Sequence, residues 1–252
     1  MSRPSNLRED KAALFAYVRK MPFVSDRTKR GRDVTFLTDD SVHIRGTYYE
    51  SQNSGEIALL AVHDFLADRS TWDPYITLFL SRNWSVLTLD LRGHGESTRQ
   101  DMRTEPLEPL ERDKRNSGPY PADVKAALGW LARQPKTDAG RIAALGVGLG
   151  SDLVYAASGK GWGTASSVLI GLDEGRAREL AGTGPFAPRS AYLMYGSQDV
   201  TSTLSAKNFV HAAAFPKDAY AYEGSASSGM KLYQEKQPEI LARTIAWIAK
   251  TI

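Results

Sequence analysis

The stretch RIAALGVGLGSDLVYAASG, residues 141–159, decides the fold. Its outline is a strand, a sharp glycine-rich turn and a helix. In the turn Gly146-Val147-Gly148-Leu149-Gly150, the outer glycines let strand and helix approach closely, and Gly148 stands at the tip. A side chain at such a tip holds a strained backbone at a cost on the order of 1–3 kcal/mol, whereas glycine tolerates it. An ordinary glycine-rich turn has the same outline. A phosphate-binding turn is a third reading, although the spacing is neither G-x-G-x-x-G nor the lysine-bearing phosphate loop.

Outward from this turn, short apolar runs alternate with helical patterns. IALLAV (57–62) is followed by a helix from about Thr71 to Arg82, SVLTLD by one from about Pro121 to Arg133, and the elbow strand by a helix after Gly150. The strand ASSVLI, a helix around Glu174–Leu180, the strand SAYLMYG, a helix around Leu204–Phe215, the strand DAYAYEG and a closing helix complete the series. Such alternation predicts parallel strands with crossover helices. In the closing helix Leu241, Ile245, Ile248 and Ile252 form one buried stripe. Upstream, RDVTFLT and SVHIRGTYYE flank Asp39-Asp40 and read as an antiparallel hairpin at the sheet edge. The expectation is an α/β fold with about eight strands, the first two antiparallel and the rest parallel, and helices on both faces. Residues 1–31 read as an N-terminal amphipathic helix (7–20, with Leu7, Leu14 and Val18 on one face) and a basic linker, and residues 32–252 as a single domain. The charged interval 99–119 reads as a loop at the carboxyl edge of the sheet, where α/β proteins place their sites.

With 252 residues, 42% of them apolar, the chain can bury a large core. Lys and Arg number 32 against 29 Asp and Glu, a net charge of +3 that is too small and too dispersed to point to nucleic acid. There is no cysteine, which excludes disulfides, thiolate catalysis and cysteine-ligated zinc. No apolar run has the length of a signal peptide or a membrane span, so the chain reads as soluble and cytoplasmic, with no metal or cofactor.

Three landmarks resemble the α/β-hydrolase family over residues 32–252. LLAVHDFLADRSTWDPYITLFLSRNWSVLTLDLRGHGEST is similar to its His-Gly-x loop and Asp-x-Arg-Gly-His-Gly-x-Ser turn, RIAALGVGLGS to its nucleophile elbow, and YLMYGSQDV with YEGSASSGM to its acid and histidine loops. Among the branches it most resembles the small dienelactone-hydrolase-like serine esterases without a lid. The resemblance implies a nucleophile at the elbow, a histidine to take its proton, an acid to orient that histidine, and backbone N–H donors for the oxyanion.

Carried onto this sequence, the nucleophile position is Gly148, the acid position Asp199 and the base position Ser228, within Ser227-Ser228-Gly229. Glycine has no attacking atom and a serine hydroxyl is no proton acceptor near neutral pH, so no intact triad is expected. Asp199 has a second reading as the cap of a helix beginning near Ser202. Ser151, one turn into the helix, is directed away from the oxyanion donors. The donors would be the N–H groups of Phe65 and Leu149, and Asp64 would repel an oxyanion if its side chain faces inward. His43, His63, His94 and His211 read as structural. The expectation is a non-catalytic protein with an open cleft lined by His63, Asp64, Phe65, Gly148, Leu149, Asp199 and Ser228. That cleft would bind a small molecule or a protein partner; a weak, unconventional ester hydrolase and a purely structural protein are the alternatives.

Overall fold

The computed structural model describes residues 31–52, 56–110 and 118–252; the helix and linker expected before residue 31 lie outside them. Among the described residues nine strands form one sheet, in the order β1-β2-β4-β3-β6-β7-β8-β9, with the two-residue β5 (Arg99–Gln100) beside β2. β1 (Arg32–Leu37) and β2 (Val42–Tyr49) form the expected hairpin, and β2 alone runs against its neighbours. β3 (Glu56–Val62), β4 (Ser85–Leu89), β6 (Thr137–Val147), β7 (Ser166–Ile170), β8 (Arg189–Gly196) and β9 (Ala214–Tyr222) are parallel.

The continuous apolar runs follow from burial of the sheet on both faces. Side chains alternate across a strand, so Ala58, Leu60 and Val62 of β3 join one core while Ile57, Leu59 and Ala61 join the other. The first core is covered by α2 (Tyr120–Leu131), α3 (Leu149–Lys160), α4 (Glu174–Ala181) and α5 (Val200–Ala212). The second is covered by α1 (Ile76–Leu80) and α6 (Gly229–Thr251), whose Leu241, Ile245 and Ile248 are buried as the stripe predicts. Between β7 and β8 only α4 intervenes, so no lid covers this edge among the described residues.

Three expectations shift. The helix read over 71–82 is a 3₁₀ turn, Arg69–Tyr75, followed by the short α1, because Pro74 has no N–H for the α-helical ladder. α5 begins at Val200 rather than near 204, since Asp199 caps it, and β9 begins at Ala214 rather than 218. β5 is too short to leave a periodic signal in the sequence.

Candidate functional site at the elbow

The turn after β6 carries Gly148 at φ 54°, ψ −116°, in the left-handed half of conformational space, with its N–H donated to Ile170 O at 2.9 Å. A Cβ on Gly146 would overlap the Gly150 carbonyl, and one on Gly150 would overlap Val62 O, so both flanking glycines serve the close approach of β6, α3 and β3.

The loop after β3 brings Asp64 to this turn. Its Oδ1 accepts from Phe65 N at 2.7 Å and from Leu149 N at 2.9 Å, and its Oδ2 accepts from Met230 N at 3.0 Å. Leu149 is the first residue of α3 and Met230 the second of α6; neither helix receives a side-chain bond from its own N-cap, Gly148 or Ser228. One carboxylate therefore caps two helices and faces the N-terminal ends of both. The side chain that the sequence left free to point either way points inward. It sits on the two N–H groups that the family resemblance assigns to an oxyanion, rather than repelling an oxyanion from a distance.

At the turn itself the surrounding loops pack directly on one another. Gly229 packs over the elbow so closely that a Cβ on it would lie 3.4 Å from Gly148 Cα and 2.6 Å from Asp64 Oδ2, and a Cβ on Gly148 would overlap the same carboxylate. The two glycines and a three-way hydrogen-bonded carboxylate let these loops approach the turn closely.

The remaining positions are placed as follows. Asp199 is the N-cap of α5 and its Oδ2 accepts from Ser202 N at 3.1 Å, the capping reading. Ser228 Oγ lies 3.2 Å from Ser202 Oγ, so the acid and base positions meet through a serine that no sequence motif marked. Ser151 is fully buried in α3, with its Oγ unpartnered among the described residues. Another element missed by sequence reading is the fully buried Asp152, which accepts from Asp173 N at 2.7 Å and from Arg176 Nε at 2.5 Å and ties the start of α3 to α4. Among the described residues no group of His, Asp and Glu side chains could hold a metal ion.

His63 and His94 are structural. His63 is fully buried: its Nε2 accepts from Leu91 N at 2.9 Å, so Nδ1 carries the proton and donates to Asp64 O at 2.6 Å. His94 does the same between Leu66 N (3.2 Å) and Arg92 O (3.0 Å), and the two rings pack 5.2 Å apart. His63 thus supports the Asp64 backbone from beneath and does not line an open cleft. Burial lowers the His63 pKa from 6.5 to about 4 and lowers that of His94 as well. Because the folded value lies below the unfolded one, the stability from neutral His63 is complete above 6.5 and is lost as the pH falls toward 4. Over that window the loss amounts to about 3 kcal/mol for this one residue. Urea unfolding at several pH values should show that decline, and a His63→Gln variant, less stable at neutral pH, should show a shallower one.

The sequence matches no protein-family model. Over 132 residues, 52% of this chain, it is 30% identical to an uncharacterized protein of Mycobacterium tuberculosis, found alike in strains H37Rv and CDC 1551. The match spans 42% of the length of that relative. Similar solved structures include a dienelactone hydrolase from Anabaena variabilis, at TM-score 0.65 and 14% identity, covering 88% of this chain and 99% of that one. An esterase of Pyrococcus furiosus superposes at TM-score 0.66 and 16% identity, covering 90% and 94%, and an acetyl xylan esterase from Paenibacillus sp. R4 at 0.65 and 17%, covering 100% and 97%. At these identities the likeness is one of fold: the chain has the α/β-hydrolase fold.

Proposed function

We propose that this chain is a non-catalytic α/β-hydrolase-fold protein, in which an esterase-type cleft is kept as a frame and closed by Asp64, and that its role is binding. One observation carries the reading. Asp64 Oδ1 takes both the Phe65 and the Leu149 amides, the pair an acyl-transfer site needs free for its oxyanion. The glycine at position 148 and the serine at position 228 agree with it, since neither supplies the nucleophile or the base that such chemistry uses. With the floor closed, binding falls to the rim and favours a protein surface over an enclosed small molecule. Leu66 and Val200, just beyond Phe65 and Asp199, are 74% and 81% exposed there.

The test is hydrolysis of p-nitrophenyl acetate and butyrate near neutral pH, with a fluorophosphonate probe read by intact mass. The expected result is a rate equal to buffer and no covalent adduct. Turnover above buffer that disappears in Ser228→Ala or Asp64→Asn would overturn this reading in favour of an unconventional ester hydrolase.

A further inference from the structure

The amides of Phe65, Leu149 and Met230 converge on one small volume, and the chain fills that volume itself. We propose that they form a preformed carboxylate-binding site whose resident occupant is Asp64, that this occupancy holds α6 shut over the elbow, and that the vacated site takes a small free carboxylate.

The observations are independent of one another. Two of the three donors, at the starts of α3 and α6, lie 85 and 166 residues from Asp64, and only the third, Phe65, is its chain neighbour, so a local turn does not explain their convergence. They divide between the two carboxylate oxygens, two on Oδ1 and one on Oδ2, which matches a planar two-oxygen ligand and not a single-atom anion. Both walls of the cradle are glycine where a Cβ would meet the carboxylate: Gly148 on the Oδ1 side and Gly229, at 2.6 Å, on the Oδ2 side. Gly148 and Gly229 have φ of 54° and 50°, so each is also the residue best able to hold the backbone that aims these amides inward. The site stands whether or not the chain turns over esters, so an assay of turnover and an assay of occupancy fail separately.

The experiment removes the occupant and offers a substitute. In Asp64→Gly, amide exchange of Phe65, Leu149 and Met230 is expected to speed up by at least about tenfold relative to Leu145 in β6, since their charge-assisted partner is gone. Sodium formate or acetate should restore the protection and raise Tm in a dose-dependent way. Sodium chloride at equal ionic strength should not, and the unmodified protein, already filled, should not respond. If Asp64→Gly does not fold, Asp64→Asn keeps the shape with one acceptor oxygen. Its Met230 amide should lose at least about tenfold in protection while Leu149 keeps its own. Formate acting no better than chloride on Asp64→Gly, an equal response of the unmodified protein, or a fully protected Met230 in Asp64→Asn would each overturn the proposal.

Discussion

Gly148→Ser is expected to lower the unfolding free energy by about 3 kcal/mol or more in urea denaturation, a large effect for adding two heavy atoms at a turn. Two costs combine. A non-glycine residue held at φ 54° carries a strain on the order of 1–3 kcal/mol. The new Cβ also lands on the Asp64 carboxylate. That carboxylate is the free end of a short side chain and can move aside, so overlap alone would be cheap. Moving it strips three part-buried amides of their acceptor, however, and a donor left unsatisfied costs up to about 1–3 kcal/mol. The two costs separate in a double-mutant cycle. With Asp64→Gly in the background only the strain remains, so Gly148→Ser should become milder by at least about 1.5 kcal/mol. Purely additive effects would show that the serine does not displace the carboxylate.

The three positions that the resemblance aligns with a triad share one structural position. Gly148, Asp199 and Ser228 are the N-caps of α3, α5 and α6. Asp199 performs its own capping through Ser202 N. Gly148 and Ser228 make no cap bond from their side chains, and Asp64 supplies both caps from outside their helices. An N-cap is worth about 1 kcal/mol, more where the partner is charged and shielded, so Asp64 matters to the fold in a way that favours keeping it.

Much of this was legible in the sequence because it is local. The elbow strand, its flanking glycines and the helix beyond depend on residues within a few positions of each other, and the parallel strands β3, β4, β6, β7, β8 and β9 declare themselves by apolar runs. The capping role of Asp199 was legible for the same reason, lying three residues from Ser202. The direction of Asp64 was not, because one of its three donors, Met230, is 166 residues away. A backbone amide carries no signature either, since every residue but proline has one. The contact of Ser202 with Ser228 and the pair of Asp152 with Arg176 are likewise products of packing between helices and loops.

Restoring the nucleophile and the base, Gly148→Ser with Ser228→His, is expected to leave ester hydrolysis at the buffer rate. Adding Asp64→Gly to that pair is expected to raise it by at least about a hundredfold. The difference lies in the oxyanion donors. Even pushed aside by the new serine, the Asp64 carboxylate stays beside the amides of Phe65 and Leu149, so an oxyanion forming there would meet a carboxylate oxygen as well as its two donors. Loss of a single donor from such a hole typically costs about 10²–10³ in rate, so freeing two supports a hundredfold gain as a lower bound. A larger gain is opposed by two features of this site. Asp199 remains engaged by Ser202 N and is poorly placed to orient a histidine at 228, and the triple variant loses the caps of α3 and α6. The comparison is made on p-nitrophenyl acetate with unmodified protein, double and triple variants at equal concentration, each checked for folding by circular dichroism. A folded double variant as active as the triple would show that Asp64 does not block the hole. A folded triple variant at the buffer rate would show that the donors, once freed, no longer converge on an oxyanion.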